Sequence, residues 1–256
     1  MERRTIDGVN FLIAEEMERH GFIAAYSERT GGVSQPPFDT LNLGYATGDR
    51  PEDVRQNRDR LVRALGVRAF AVAKQTHESN VVRVGDKRAG AGFAGPPSPL
   101  GEADALAVSR PGLAVAVLVA DCVPIALASP DQGVLVAVHA GWRGMATDVV
   151  GHTLRLFERP GVLAAIGPSI GPCHFEVGED VAVAVAAGSE AGAITERREG
   201  RLFLDLPGTV ARVLRAAGVS RIEEAEVCTA CESERFFSHR RDGETGRQAM
   251  VALRAP

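Results

Sequence analysis

Two apolar runs separated by a short polar turn predict a β-hairpin in the middle of the chain. The runs extend from Leu113 to Ala128 and from Gly133 to Ala137, and the turn is Pro130-Asp131-Gln132-Gly133. Asp121 and Cys122 interrupt the first run, which otherwise has the pattern of one buried strand, and His139 follows the second. Because an unpaired carboxylate or imidazole is costly to bury, these groups require partners or a function.

Apolar segments on both sides of this hairpin predict alternating strands and helices. The predicted strands are Val9 to Met17, Phe22 to Ser27, Phe70 to Lys74, Val81 to Val84, Ala103 to Val108, Leu163 to Ile166, Arg201 to Leu206, Ile222 to Val227 and Gln248 to Leu253. The predicted helices begin at Pro51 and extend over Met145 to Glu158, Glu179 to Ala187 and Pro207 to Ala217. This mixture predicts an α/β (α+β) fold with mixed sheets, as a single domain over residues 1–256.

The helix that begins at Pro51 has a clear amphipathic pattern. Its apolar face is formed by Val54, Leu61, Val62 and Leu65. Asp49 is a candidate cap, and Gly66 is expected to end the helix. We interpret its arginines as a solvated face. The Gly- and Pro-rich segments 30–49 and 85–101 are predicted loops, and loops of that length are often functional.

Composition narrows the class of protein. The 256 residues are 45% hydrophobic and carry a formal net charge of -4, which argues against a nucleic-acid partner bound through phosphate contacts. The N-terminus lacks the apolar core of a signal peptide, and no apolar run reaches membrane-spanning length, so we expect a cytoplasmic protein with no membrane partner. In that compartment the four cysteines are expected to be thiols or metal ligands.

The common nucleotide and hydrolase motifs are missing from the sequence. No Gly-x-Gly-x-x-Gly follows a strand, and there is neither a Walker-type Gly-Lys-Ser/Thr nor a Gly-x-Ser-x-Gly. Cys228-x-x-Cys231 alone is a weak metal or redox signal, because Cys122 and Cys173 lie far upstream and form no second pair. We interpret that motif as structural or incidental.

A stronger candidate combines His77, Cys122 and His139. Each residue lies at or near the end of a predicted strand, where side chains can converge at one end of a sheet. Alone, Cys122 fits a small core residue and His139 a hydrogen-bonded strand end. Together, two imidazoles and a thiolate suit zinc with an open fourth position, and they also suit a trigonal copper site.

Several motifs spread along the chain resemble those of the YfiH-like family, also called the laccase-domain or multicopper polyphenol oxidase family. The matching segments are Leu41-Asn42-Leu43-Gly44, Gln75-Thr76-His77, Ala103-Asp104-Ala105-Leu106, Ala120-Asp121-Cys122-Val123-Pro124, His139-Ala140-Gly141-Trp142-Arg143-Gly144, Ile166-Gly167-Pro168-Ser169-Ile170-Gly171-Pro172-Cys173, Cys228-Thr229 and Phe236-Phe237-Ser238-His239-Arg240-Arg241-Asp242. They occur in the family's order and cover nearly the whole chain.

The resemblance implies a zinc site built from His77, Cys122 and His139, and copper is the alternative metal that the same residue types allow. It implies layered mixed sheets flanked by helices, similar to the catalytic domain of the cytotoxic necrotising factors. It also implies phosphorolysis of adenosine, inosine, guanosine and methylthioadenosine, with deamination of adenosine as a second activity. The expected partners are therefore purine nucleosides and phosphate, and the expected assembly is a monomer or a homodimer.

Other residues near these motifs are candidates for the implied chemistry. Asp121 is the nearest acid to transfer protons in deamination, or it orients a metal ligand. Arg143 can offer a bidentate fork to phosphate, or it packs against Trp142. Asn42 is expected to bond a ribose hydroxyl or to shape its loop. Arg241, with its neighbour Arg240, is a weaker candidate for substrate binding.

Three other functions remain open at this point. A copper oxidase of phenols fits the family's older name, although six histidines are few for a multicopper centre. A metal-free cysteine hydrolase would use Cys122 as the nucleophile and His139 as its base. A non-catalytic binding protein is the fourth hypothesis, and the polar strand ends favour an enzyme over it.

Overall fold

The computed structural model describes residues 1–96, 98–158 and 161–256. The strands are β1 (Glu2–Ile6), β2 (Val9–Ile13), β3 (Phe22–Ser27), β4 (Phe70–Ala71), β5 (Val81–Arg83), β6 (Ala105–Val108), β7 (Ala114–Val119), β8 (Val123–Ser129), β9 (Val134–Ala140), β10 (Leu163–Ile166), β11 (Glu176–Val177), β12 (Thr195–Arg198), β13 (Arg201–Leu204), β14 (Arg221–Glu224) and β15 (Gln248–Arg254). The helices are α1 (Glu15–Arg19), α2 (Pro51–Ala64), α3 (Trp142–Ala146), α4 (Val149–Leu154), α5 (Glu179–Ala187), α6 (Leu206–Ala216) and α7 (His239–Asp242).

Two six-stranded mixed sheets form the centre of the fold. The first has the order β1-β2-β3-β15-β7-β4, and the second has the order β14-β10-β8-β9-β6-β5. A smaller sheet, β11-β13-β12, lies beside them. Antiparallel pairs dominate, whereas β4/β7, β5/β6 and β10/β14 are parallel. The predicted mixed α/β class is therefore confirmed, and the likeness to the necrotising-factor domain stays a prediction.

The core between the two large sheets combines bulky and small side chains. Val115, Val117 and Met250 of the first sheet pack with Ala126 and Ala137 of the second. Alanines on β8 and β9 allow the sheets to approach closely, as face-to-face packing requires. Helices α3, α4, α5 and α6 cover the other face of the second sheet, while α2 covers the first.

The predicted hairpin is confirmed, but the long run before it is not one strand. β8 and β9 pair antiparallel, with Ser129 opposite Val134 and Pro124 opposite His139. The run 113–128 divides into β7 of the first sheet and β8 of the second. Asp121 and Cys122 lie at this crossover, and Asp121 has a positive φ of 92°. The polar residues that interrupt the pattern thus mark the change from one sheet to the other.

Helix α2 begins at Pro51 as predicted, but the interpretation of its arginines was wrong for Arg58. This residue is only 2% exposed, since it lies four residues after Val54 on the same helical face. Its guanidinium donates to the carbonyls of Leu43, Gly92 and Phe93. The cap was also wrong, because Arg50 occupies the N-cap position without a capping side chain.

Several predicted boundaries shift for local reasons. The first predicted strand ends at Ile13, and the remainder becomes α1. The predicted helix from Met145 to Glu158 is two helices, separated at Asp148, which has a φ of 59° and caps α4 through the N–H of Gly151. Strands β1, β11 and β12 and helix α7 were not predicted. In the predicted loop 85–101, Pro97 lies outside the described residues.

No described helix combines the length and the apolar character needed to cross a membrane.

Candidate metal centre

Three residues from different segments of the chain converge at one point, beside the crossover from the first large sheet to the second. His139 belongs to β9, Cys122 immediately precedes β8, and His77 lies in the connection from β4 to β5. One ligand atom from each of these residues lies within 4.8 Å of the others. The two imidazole rings are edge to face, with centroids 4.7 Å apart. The predicted ligands are therefore adjacent in space.

Asp104 holds both histidines in place. Its carboxylate lies 2.7 Å from Nδ1 of His139 and accepts the backbone N–H groups of His77 and Glu78 at 3.0 and 2.9 Å. These bonds fix a turn in which His77 has a positive φ of 63°. With Nδ1 of His139 occupied, Nε2 is the nitrogen left to bind a metal, as in many carboxylate–histidine–metal arrangements.

The charges around these ligands favour ionised groups. Burial opposes ionisation of Cys122, but His139 and then His77 outweigh it and lower the pKa of the thiol to about 6. Burial would lower the pKa of His139, yet the thiolate and the Asp104 carboxylate raise it to about 9. Burial would raise the pKa of Asp104, but His139 and the Glu78 N–H lower it to about 2. A thiolate between two imidazoles is a strong donor for a divalent metal.

Gly141 shows how closely the chain surrounds these ligands. A Cβ at this position would lie 2.9 Å from Sγ of Cys122 and 2.9 Å from Cδ2 of His77. Contacts that short do not occur for real Cβ atoms, so any larger residue would displace a ligand. The glycine in the His139-Ala140-Gly141-Trp142 segment is therefore explained by the space that the centre needs.

All three candidate ligands line a cavity of about 880 Å³. Its aromatic lining consists of Tyr45, Trp142 and Phe175, and its arginine lining consists of Arg58, Arg143, Arg240 and Arg247. A three-ligand centre that borders a cavity of this size can leave a coordination position facing it, the arrangement found in catalytic zinc sites.

Arg143 faces this cavity from the first turn of α3. Its guanidinium lies 4.4 Å from the centroid of the Trp142 ring, so the predicted packing contact exists. The side chain is exposed and forms no ion pair with any residue of the described ranges. Stacking on Trp142 leaves the edge of the guanidinium free to bind an anion.

Asp121 is positioned by contacts with the C-terminal segment. One carboxylate oxygen accepts a hydrogen bond from Oγ1 of Thr229 at 2.6 Å, and the other accepts the N–H of Arg240 at 2.7 Å. Its own carbonyl accepts the N–H of Ile170. These bonds stabilise the left-handed backbone that precedes Cys122.

Asn42 and Arg241 do not line the cavity. Asn42 is fully buried, and its amide bonds the loop at Gly44, Thr47 and Asp49 and the N–H of Arg247. The guanidinium of Arg241 donates to the carbonyls of Thr229, Ala230 and Phe236 and pairs with Asp242. The structure therefore places both candidate substrate-binding residues in supporting contacts behind the site.

Two arginines of the cavity wall, Arg58 and Arg247, were not predicted from the sequence. Arg58 stacks on the Tyr45 ring at 4.6 Å, and burial lowers its pKa to about 10. Arg247 is partly buried beside Asn42, and burial lowers its pKa as well. Arg58 lies four residues after Val54, on the apolar face of α2, and this spacing could have indicated that Arg58 is buried.

The fold and the His-Cys-His site together define a mixed α/β protein with a candidate metal centre open to a cavity. The chain belongs to the family described as multi-copper polyphenol oxidoreductase laccase, whose model matches residues 23–255. The resemblance inferred from the motifs is thus confirmed.

Several relatives are similar over almost their whole length. A protein of Escherichia coli (strain K12) named purine nucleoside phosphorylase YfiH is 37% identical, over 93% of this chain and 96% of the relative. A purine nucleoside phosphorylase of Deinococcus radiodurans is 40% identical, over 90% and 88% of the two chains. Among solved structures, YlmD from Geobacillus stearothermophilus has a TM-score of 0.88 and 34% identity, covering 92% of this chain and 93% of that one.

Proposed function

We propose that this protein is a metal-dependent purine nucleoside phosphorylase that converts a nucleoside and phosphate into a free base and ribose 1-phosphate. The observation that carries this proposal is the convergence of His77, Cys122 and His139 on a cavity with aromatic and arginine walls. Relatives that bear this enzyme name span about nine-tenths of the chain, which supports the same reaction class.

The three ligands suit zinc, and copper is the alternative. Two imidazole nitrogens and one thiolate are a common donor set for either metal. Phosphorolysis has no redox step, which favours zinc. When bound by His77, Cys122 and His139, the ion would supply a Lewis acid beside the reacting atoms. Asp104 keeps Nε2 of His139 free for this purpose.

Phosphorolysis requires cationic groups that hold phosphate beside C1′ of the ribose. A phosphate oxygen forms the bond to C1′, the glycosidic C–N bond breaks, and the base leaves with the electron pair and gains a proton. Arg143 projects into the cavity with a free guanidinium edge and is our candidate for phosphate. Arg247 and Arg240 add positive charge to the same wall.

The purine has aromatic neighbours in the same cavity. Tyr45, Trp142 and Phe175 are the candidate surfaces for stacking of the base. The phenolic oxygen of Tyr45 is buried and has no hydrogen-bond partner among the described residues. A planar base held by apolar faces and oriented by a few polar groups is typical of small-molecule sites.

Asp121 fits a positioning residue better than a proton carrier. Both of its carboxylate oxygens already accept hydrogen bonds, from Thr229 and Arg240. We therefore assign Asp121 to holding the turn that presents Cys122. Deamination of adenosine remains part of the proposal as a second activity, in which water attacks C6 and ammonia leaves.

The decisive experiment measures release of hypoxanthine from inosine with and without phosphate. The zinc-loaded protein should release the base only when phosphate is present, and Cys122→Ala should abolish release. Exposed His152, whose Nδ1 is hydrogen-bonded to the carbonyl of Asp148 one turn earlier, provides the matched control His152→Ala with unchanged activity. Release at the same rate without phosphate would remove the phosphorylase proposal. Ammonia release from adenosine in the same samples tests the deaminase activity separately.

One arrangement favours a second candidate, a metal-free cysteine hydrolase. Cys122, His139 and Asp104 form a thiol–imidazole–carboxylate series, the order found in nucleophilic catalysis. If this chemistry operates, an alkylating reagent labels Cys122 and added zinc fails to block the labelling. Zinc protection of Cys122 would contradict the hydrolase.

A further inference from the structure

A second group of metal-ligating side chains lies near the surface, outside the cavity. Cys173 and His174 follow β10, and Cys228 and Cys231 follow β14. The four ligand atoms all lie within 4.8 Å of one another. Because β10 and β14 are adjacent parallel strands, the segments after them leave the sheet side by side. Cys228 and Cys231 are therefore neighbours in space of Cys173 and His174, which the spacing of the motif did not indicate.

The spacing of these atoms matches a tetrahedral zinc site. Nδ1 of His174 is 3.3 Å from Sγ of Cys173, 3.8 Å from that of Cys228 and 3.4 Å from that of Cys231, and the Cys173 and Cys231 sulfurs are 3.5 Å apart. Bonds of about 2.3 Å to sulfur and about 2.0 Å to nitrogen place neighbouring tetrahedral ligands roughly 3.5–3.8 Å apart. All four cysteines of the chain are free thiols, so no disulfide accounts for the approach.

The surrounding backbone supports a thiolate at Cys228, and Gly171 is the donor. The N–H of Gly171 donates to Sγ of Cys228 at 3.2 Å. Ser169 forms an isolated parallel bridge with Cys228, which fixes the two segments relative to each other. Partners of this kind orient metal ligands and stabilise their charge.

We propose that Cys173, His174, Cys228 and Cys231 bind a structural zinc ion through four protein ligands. A complete Cys₃His set leaves no position for substrate, which distinguishes this site from the open three-ligand centre. We call it the Cys₃His site. Three of its ligands are exposed, so the metal can enter from solvent without unfolding of the chain.

The Cys₃His site is placed to hold one wall of the cavity. The segment after Cys173 carries Phe175, and the segment after Cys231 leads to Arg240, and both of these residues line the cavity. The Arg240 guanidinium donates to the carbonyls of His174 and Glu176. The backbone N–H of Arg240 donates to the carboxylate of Asp121. A zinc ion that joins the two segments would therefore stabilise this wall without touching substrate.

The test counts metal ions in the full-length protein, expressed with zinc and purified under reducing conditions. Wild type should contain two zinc ions per chain by elemental analysis, and Cys231→Ser and Cys122→Ser should each contain one. Cobalt replacement gives an independent readout, since a site with three thiolates produces a stronger sulfur-to-cobalt absorption than a site with one. Cys231→Ser should lose most of that absorption and Cys122→Ser should lose little.

Two further variants show whether a loss of metal comes from the missing ligand or from misfolding. Cys173→Ser should repeat the loss seen in Cys231→Ser, with circular dichroism to show that each variant is folded. His152→Ala keeps every candidate ligand and should retain two ions. A single ion in wild type that Cys122→Ser removes, or two ions in Cys231→Ser, would overturn the proposal. A Cys173–Cys231 disulfide found by mass spectrometry of the reduced preparation would overturn it as well.

Discussion

The His77/Cys122/His139 centre and the Cys₃His site use the same residue types for different purposes. The ligands of the first are buried or partly buried and border a cavity of about 880 Å³, whereas three of the four ligands of the second are exposed. The first offers three ligands and the second offers four. Ligand number and access to a cavity, rather than residue type, separate a candidate catalytic centre from a candidate structural one.

The supports of the two groups differ in the same way. A buried carboxylate, Asp104, fixes the imidazole of His139 and the backbone at His77. At the Cys₃His site the described support is a backbone N–H, from Gly171 to Cys228. A charged partner tunes the basicity of a ligand that takes part in chemistry, while a backbone donor is sufficient to hold a structural thiolate.

The largest expected effect in this comparison comes from Cys122→Ala. Loss of partners behind a metal ligand costs about 10–100-fold, so loss of the ligand itself should reduce kcat/KM for phosphorolysis by more than about 100-fold. The Cys₃His metal should remain. Steady-state kinetics combined with zinc analysis checks both expectations. Full activity in a folded Cys122→Ala protein would show that the His77/Cys122/His139 centre is not required for phosphorolysis.

The second effect concerns the carboxylate behind the ligands. Asp104→Asn removes the negative charge beside His139 and should weaken zinc binding at the open centre about 10–100-fold. Competition with a chromophoric chelator measures that affinity, and the Cys₃His metal should not respond. The matched control is Asp86→Asn, at an exposed carboxylate paired with Arg110. Equal zinc affinity in both variants would contradict the role given to Asp104.

A smaller effect is expected from the cavity wall. Arg143→Ala should raise KM for phosphate roughly tenfold, equivalent to about 1.4 kcal/mol, with a smaller change in KM for the nucleoside. Arg155→Ala removes an exposed arginine of the neighbouring helix and serves as the control. Initial rates at varied phosphate provide the measurement. A change confined to the KM for nucleoside would indicate that Arg143 binds the base or the ribose instead of phosphate.

The smallest effect on either metal site is expected from Glu28, which belongs to neither group of candidate ligands. Burial would raise the pKa of Glu28, but Arg3 and Arg235 outweigh it and hold the pKa below its ordinary value of 4.5. Such a carboxylate stabilises the fold above its unfolded pKa, and this stability is lost as pH falls through the lower folded pKa. Glu28→Gln should therefore flatten the decline in stability on acidification.

Breaking the ion pairs of buried Glu28 with Arg3 and Arg235 should cost about 1–3 kcal/mol at neutral pH. Denaturant unfolding between pH 3 and 7, roughly the range in which carboxylates titrate, gives the measurement. Glu2→Gln, at an exposed carboxylate paired with Arg4, is the control. Loss of either metal in Glu28→Gln would show that the sites are not independent of this ion pair.

The convergence of His77, Cys122 and His139 was predictable because each of these residues interrupts or ends an apolar segment. Polar residues within an apolar segment, such as Cys122 and His139, are costly to bury without a partner or a function. Side chains at the ends of neighbouring strands can also meet at one end of a sheet. The division of 113–128 into two strands was not predictable, because an apolar run carries no information on which sheet receives each half. Only the pairing of β7 with β15 and of β8 with β9 separates them.

The Cys₃His site was not visible in the sequence for a related reason. Its two ligand pairs are separated by more than fifty residues, and only the parallel pairing of β10 with β14 makes them neighbours. Arg58 misled the interpretation of α2 in the opposite direction. An arginine normally indicates a solvent-exposed position, but here loop carbonyls accept the hydrogen bonds of the buried Arg58 guanidinium.

The most direct test of the contrast between the two sites is an anomalous difference map at the zinc absorption edge, from crystals grown with zinc. We expect two peaks per chain. One should have His77, Cys122 and His139 as its only protein ligands and face the cavity, and the other should be enclosed by Cys173, His174, Cys228 and Cys231. A fourth side chain on the first ion, or no peak at the second position, would contradict this expectation.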